Sequence, residues 1–294
     1  MPPAAPAPKS PQSPRNRVPR ARTYDPARTR AALAAQAEVL RTAVHTLCAG
    51  PDAEARLAAP TRLGDWRVRE LVAHLGSVFD SVSHNIGADA GPGEPLTPTG
   101  WVAATRTAAP AIASYAEQQA EREFGGSPAE VAAALDAAID RTLTILAQAE
   151  EYAPGLRIPN RFGPMLFSDY LVTRLLETVV HGDDLAAALG TELPHDRQAL
   201  AAATRLLADA LAAQAPGGAV ELRIPPFAVV QCVAGPRHTR GTPPNVVETS
   251  PLVWIRLATG RLGWARATGQ GADVAELTAS GERSDLSPLL PVMG

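Results

Sequence analysis

The stretch LFSDYLVTRLLETVVHGDDLAAALG, residues 166–190, decides the fold of the first part of the chain. Its apolar residues recur at intervals of three and four, which predicts a long helix, and Gly190 stands where a helix C-cap is expected. A polar stripe with the same spacing runs between the apolar flanks and contains Tyr170, Arg174, Glu177, His181 and Asp184. The stripe is either the solvent-facing side of an amphipathic helix or the wall of an internal site, and the stretch alone leaves both interpretations open.

Glu177 and His181 are the residues of this stripe that point to a metal site. Because they are four apart on a helix, they project from one face. His74 lies on another predicted helix, in register with Leu71 and Val78 on its apolar face, so it faces the interior of the same bundle. A glutamate and two histidines would form a three-ligand zinc-type site with one open position, as in catalytic zinc sites. The alternative is a histidine that only hydrogen-bonds in the core.

The spacing of apolar residues divides the chain into a helical part and a mixed part. It predicts bundle helices over 31–47, 68–86, 101–122, 129–150 and 166–189, and a further helix over 194–214. Runs typical of strands follow at 220–224, 228–233, 252–258 and 274–279. We therefore expect a disordered basic tail at 1–25, a helical bundle at 26–190 and a small α/β domain at 191–294.

Composition argues against several classes of partner. With a formal net charge of −3 over 294 residues, the chain has no general electrostatic attraction for nucleic acid or an anionic membrane. It contains no apolar run of about 18 residues and no signal-peptide core, so we expect a soluble cytoplasmic protein. The two cysteines, Cys48 and Cys232, lack metal-ligand spacing, which favours buried, reduced thiols.

Two motifs resemble those of a known family. Residues 64–75, GDWRVRELVAHL, and residues 177–189, ETVVHGDDLAAAL, are similar to the two motifs of actinobacterial DinB-like proteins of the mycothiol-dependent maleylpyruvate isomerase family. Residues 252–261 and 280–291 resemble its small C-terminal domain, which has a sterol-carrier-like α/β topology. The tail is additional to the family pattern, and the proline- and glycine-rich segment 234–247 reads as an insertion between strands.

The resemblance implies a fold and a chemistry. The fold is a DinB-like four-helix bundle followed by a sterol-carrier-like α/β domain. In this family, two histidines and a glutamate bind a divalent metal, usually zinc, and mycothiol is the co-substrate. The matching residues are His74, Glu177 and His181.

The same resemblance gives candidate roles to several other polar residues. Asp184 and Arg174 would support the ligands or orient the substrate, and an acidic substrate would need arginine. Candidates for that role in the C-terminal domain are Arg256, Arg261 and Arg283, each with surface ion pairing as the alternative. Trp66 is expected to be a packing residue, and His84, His195 and His238 to be surface or loop residues.

Three function classes stay open. The first is a thiol-dependent isomerase or S-transferase that acts on a small electrophile, with the low-molecular-weight thiol and the substrate as partners. The second is a non-enzymatic zinc-binding regulatory protein of the same architecture. The third is a carrier of an apolar ligand. We expect a monomer or weak homodimer in each case.

Overall fold

Residues 22–106, 118, 120–235, 244–271 and 274–294 are described by a computed structural model of the protein. Most of the predicted tail lies outside these residues, as do 107–117 of the third predicted helix, 236–243 of the predicted insertion, and His238. At the end of the predicted tail, Arg22 Nε donates to Asp209 Oδ2 at 2.7 Å.

The N-terminal part is helical, and its helices begin and end at signals present in the sequence. Its helices are α1 (Pro26–Cys48), α2 (Ala53–Leu57), α3 (Val68–Asn85), α4 (Pro98–Thr105), α5 (Pro128–Ala147) and α6 (Phe167–Leu189). Asp25 caps α1 by accepting from the Arg28 amide, and Ser127 with Glu130 forms a capping box before α5. Gly190 ends α6 with φ 63°, the left-handed conformation predicted for a C-cap. The third predicted helix is represented by α4 and by helical residues at 118 and 120–122.

Four of these helices form the predicted bundle. α1 packs against α5 and α6, and α3 packs against the same two helices. Leucines with almost no exposed surface, such as Leu33, Leu40, Leu71 and Leu135 at 1% or less, fill the space between them. Each such burial stabilises the fold by about 1.5–3 kcal/mol. The bundle class is therefore confirmed.

The polar stripe of α6 does not face solvent. Arg174, Glu177, His181 and Asp184 are all buried, and so are the apolar residues on both flanks of the helix. Nearly the whole of α6 is thus enclosed by its neighbours. This excludes the amphipathic-helix interpretation and leaves the stripe as the wall of an internal site.

The loop before α6 contains a short hairpin that the sequence did not predict. Strand β1 (Arg157–Ile158) pairs antiparallel with β2 (Met165–Leu166), directly before α6 begins. The Leu96 amide donates to the Pro164 carbonyl at 2.8 Å, so the hairpin also holds the chain that leads into α4.

The C-terminal part combines a four-stranded sheet with helices. After α7 (Arg197–Gln214), the sheet has the order β4-β3-β5-β6, with β3 and β5 parallel and the other pairs antiparallel. The strands are β3 (Val220–Ile224), β4 (Ala228–Cys232), β5 (Val246–Thr249) and β6 (Leu277–Ser280), and the helices after β5 are α8 (Pro251–Ala258) and α9 (Trp264–Ala267). This confirms a small α/β unit after the bundle.

Two predictions in this part were wrong. Residues 252–258, predicted as a strand, form α8, because Ser250 accepts from the Val253 amide and Pro251 occupies the first turn. Its β-branched residues Val253 and Ile255 favoured the strand interpretation, yet they lie on a buried helical face. Strand β5 was missed because its start falls in the segment predicted as an insertion.

Helix α7 joins the two parts. It packs on α1, α4 and α6 of the bundle and on β4 and α8 of the C-terminal part. The parts therefore share an extensive contact. In the portion of the chain that the structure describes, no helix is long and apolar enough to cross a membrane.

Candidate metal centre

His74, Glu177 and His181 meet between α3 and α6. Glu177 Oε2 lies 3.3 Å from His74 Nε2 and 3.2 Å from His181 Nε2. One ligand atom from each residue lies within 4.8 Å of the others, and all three side chains are buried. Two imidazole nitrogens and one carboxylate oxygen are the donor set of open, catalytic zinc sites. The residues therefore fit a divalent metal.

The start of α3 places His74. The Arg67 amide donates to Glu70 Oε2 at 2.8 Å and fixes the first turn of the helix. Trp66 is buried, and its ring centroid lies 5.3 Å from that of His74. The rings of His74 and His181 meet edge to face, with centroids 4.5 Å apart. Trp66 thus packs as expected, and the ring it packs against is that of a candidate ligand.

Asp184 orients His181. His181 Nδ1 lies 2.9 Å from Asp184 Oδ2. Because an ionised carboxylate only accepts hydrogen bonds, Nδ1 carries the proton and donates it. The other nitrogen, Nε2, faces Glu177. A carboxylate behind a ligating histidine is the usual way in which proteins fix the ring and its tautomer for a metal.

Burial and charge set the protonation of the three side chains. Burial and the nearby His181 lower the pKa of His74. Burial alone would raise the pKa of Glu177, but contacts with His181 and His74 hold it well below its usual value. Burial would likewise lower the pKa of His181, yet Asp184 and Glu177 outweigh it and raise that pKa. Glu177 is therefore ionised and His74 neutral at pH 7, as metal ligands must be.

Arg174 is a buried cation beside this site. Its guanidinium carbon lies 4.6 Å from the ring centroid of Tyr170 and 5.5 Å from that of Trp101. It donates to hydroxyl oxygens of Thr173 and Ser81 at 3.2 and 3.4 Å. Its positive charge lowers the pKa of both His74 and Glu177. Among the residues of known placement, no carboxylate forms an ion pair with it.

The three C-terminal arginines lie in different surroundings. Arg256 forms a two-pronged ion pair with Asp183, and Arg261 forms one with Asp184. Arg283 is exposed, and its amide donates to Asn245 in the C-terminal part. The structure therefore brings Arg174, Asp184 and Arg261 close to the candidate ligands and leaves Arg283 apart. A substrate contact by any of these arginines stays a prediction.

Sequence reasoning missed Arg62 and Asp183. Arg62, in the loop before Trp66, donates to both Asp183 and Asp184. A usable signal was present, because two consecutive aspartates on a buried helix require cationic partners. The sequence did not show which arginines those would be. His195 lies in a loop as predicted, but its ring is half-buried, with Nδ1 3.0 Å from Gln36 Nε2.

Comparison with known proteins agrees with this architecture. The family model described as the mycothiol maleylpyruvate isomerase N-terminal domain matches residues 38–186, and that of a bacterial SCP ortholog matches 196–292. The chain belongs to the mycothiol maleylpyruvate isomerase family. The two matches fall inside the predicted domains 26–190 and 191–294, whose boundaries stay a prediction. No curated protein sequence matches significantly.

Two solved structures share the fold. One is the crystal structure of a histidine-to-alanine mutant of mycothiol-dependent maleylpyruvate isomerase, with a TM-score of 0.55 at 15% identity. The other is the crystal structure of mycothiol-dependent maleylpyruvate isomerase, with a TM-score of 0.52 at 14% identity. Each alignment covers 89% of this chain and 95% of the other. The similarity therefore includes both parts of the molecule.

Proposed function

We propose that this protein is a metal- and thiol-dependent enzyme that uses mycothiol to isomerise, or to transfer sulfur to, a small electrophilic substrate. The observation that carries the proposal is the buried meeting of His74, Glu177 and His181 in a chain of this family. These three residues would hold a divalent ion, with zinc as the proposed metal. When bound, such an ion supplies a positive charge that lowers the pKa of a thiol towards neutrality.

The chain has no suitable thiol of its own at this site. Cys232 lies in β4 of the C-terminal sheet, and burial raises its pKa to about 11. Burial also raises the pKa of Cys48, the last residue of α1. Both cysteines therefore stay protonated at pH 7 and are poor nucleophiles. The sulfur nucleophile must then come from a small molecule, which supports mycothiol as co-substrate.

Arg174 is suited to recognise an acidic substrate. Its guanidinium is buried beside the candidate ligands and forms no ion pair with the described carboxylates, whereas Arg256 and Arg261 are both held by aspartates. A carboxylate that entered the site would find in Arg174 a desolvated partner able to form charge-assisted hydrogen bonds. We therefore assign substrate orientation to Arg174. The expected cytoplasmic location and monomeric or weakly dimeric state stay predictions.

Thiol dependence tests this proposal. The zinc-loaded protein should consume mycothiol, or isomerise maleylpyruvate in its presence, and should lose this turnover when the thiol is omitted. Glu177→Gln should abolish turnover because it removes the buried charge, while Cys48→Ser and Cys232→Ser should retain it. Undiminished turnover without any thiol would contradict the proposal and would indicate a hydrolase on the same site.

A further inference from the structure

A network of three arginines and two aspartates lies behind the candidate metal ligands. Asp183 and Asp184 follow His181 on α6 and are almost completely buried, at 2% and 0% exposure. Arg62 comes from the loop before α3, whereas Arg256 and Arg261 come from α8 and the residues just after it. The network therefore ties the C-terminal part to the helix that carries Glu177 and His181.

Asp184 is the member of this network that touches a candidate ligand. Its Oδ2 accepts from His181 Nδ1 and from Arg261 Nη2, both at 2.9 Å. Its Oδ1 accepts from Arg62 Nε at 2.6 Å and from Arg261 Nε at 3.1 Å. An ionised carboxylate has about four lone-pair sites, so these four donors saturate it. The orientation of Asp184 is thus fixed on every side, and half of that support comes from Arg261.

We propose that Arg261 is a positioning residue for the metal site, acting through Asp184 on His181. This inference rests on the proposed metal-binding role of His74, Glu177 and His181. The two-pronged grip of Arg261 holds the Asp184 carboxylate in the plane that His181 Nδ1 needs, and this keeps Nε2 directed towards Glu177. Docking of the C-terminal part and affinity for the metal are therefore coupled, and each strengthens the other by the same factor.

The loss expected from breaking this chain of contacts is measurable. Without Arg261, Asp184 keeps only Arg62 and His181 as donors, so its carboxylate is free to rotate and the His181 ring loses a fixed orientation. Removing a group that orients a ligating histidine typically weakens metal binding about 10- to 100-fold. Arg261→Lys keeps the charge but not the fork, so its loss should be intermediate.

The neighbouring pair provides a matched control. Arg256 grips Asp183 in the same way, with Nη2 to Oδ1 at 2.6 Å and Nε to Oδ2 at 2.9 Å. Asp183 is buried beside Asp184, but it makes no hydrogen bond with His181. Arg256→Gln therefore removes an ion pair of equal geometry at the same contact without touching the chain that leads to the metal.

The test measures the zinc affinity of the full-length protein by chelator competition and the visible spectrum of the cobalt-substituted form. Arg261→Gln should bind zinc about 10- to 100-fold more weakly than wild type and change the cobalt spectrum, and Asp184→Asn should behave similarly. Arg256→Gln should match wild type in both. Circular dichroism of the metal-free proteins checks folding, and Arg261→Lys serves if Arg261→Gln does not fold.

Two results would overturn the inference. One is wild-type affinity and an unchanged spectrum in a folded Arg261 variant. The other is an equal loss in Arg256→Gln, which would assign the effect to the domain contact as a whole. A wild-type protein that binds no zinc would instead remove the proposed function and the inference together, so the two failures can be told apart.

Discussion

Arg174 shows how single side chains set the chemistry of this molecule. An arginine buried at 9% exposure without a carboxylate partner among the described residues is costly, because a desolvated charge needs compensation. Here the faces of Trp101 and Tyr170 and two hydroxyl oxygens provide part of it. The uncompensated remainder attracts an anion, and the candidate metal ligands lie next to it.

Replacing this arginine should separate acidic from neutral substrates. Arg174→Gln should lower kcat/KM for an acidic electrophile by about 10- to 100-fold, since a hydrogen bond to a charged group contributes about 1.5–3 kcal/mol. The neutral ester of the same electrophile should be affected far less. Steady-state kinetics with both substrates measure this, with the exposed Arg28→Gln as control. Equal losses on acid and ester would contradict the role in orientation.

Helix α6 shows what one element contributes. Its burial on nearly all sides follows from its place between α1, α3 and α7, and its polar stripe becomes a site because no side of it is left to solvent. The helix stops at Gly190, which adopts a left-handed conformation that side chains with a Cβ rarely tolerate.

The stop at Gly190 predicts a stability effect. Gly190→Ala should lower the free energy of unfolding by about 1–2 kcal/mol, because an L-residue in the left-handed region is strained although nothing would crowd its Cβ. Gly155 also has open space where a Cβ would lie but no positive φ, so Gly155→Ala should be neutral or slightly stabilising. Urea unfolding measures both. A neutral Gly190→Ala would contradict the capping role.

At the scale of the whole molecule, the bundle and the C-terminal part are joined by buried polar contacts as well as by α7. Gln36 on α1 accepts from the Asp196 amide at 2.9 Å and contacts the His195 ring, so the connection between the two parts is held against the bundle. Burial lowers the pKa of His195, while Asp183 and Arg256 act on it in opposite directions.

This lowered pKa predicts a pH dependence of stability. As the pH falls below about 6.5, the unfolded chain binds a proton at position 195 that the folded chain does not, so the free energy of unfolding decreases. The decrease continues until the pH reaches the lowered pKa of the folded state. His195→Gln removes this contribution, so its stability relative to wild type should improve between pH 7 and 5.5. Identical pH profiles in urea unfolding would contradict this.

Sequence alone predicted the parts of this molecule that depend on local patterns. The bundle helices follow from apolar spacing, and His74, Glu177 and His181 follow from helical register together with the family motifs. The ion pairs of Arg62, Arg256 and Arg261 join residues 73 to 122 positions apart, and no local pattern specifies such partners. Helix α8 was missed because its β-branched residues outweighed the Ser250-Pro251 start signal.

The measurement that tests the central claim most directly is the metal content of the purified protein and its variants. We predict one zinc-like divalent ion per chain in the wild type and in His84→Ala, which removes an exposed histidine from the same helix α3. His74→Ala and His181→Ala should be strongly depleted, because each loses one of three ligands. Full stoichiometric metal in both folded variants would contradict the assignment of the site.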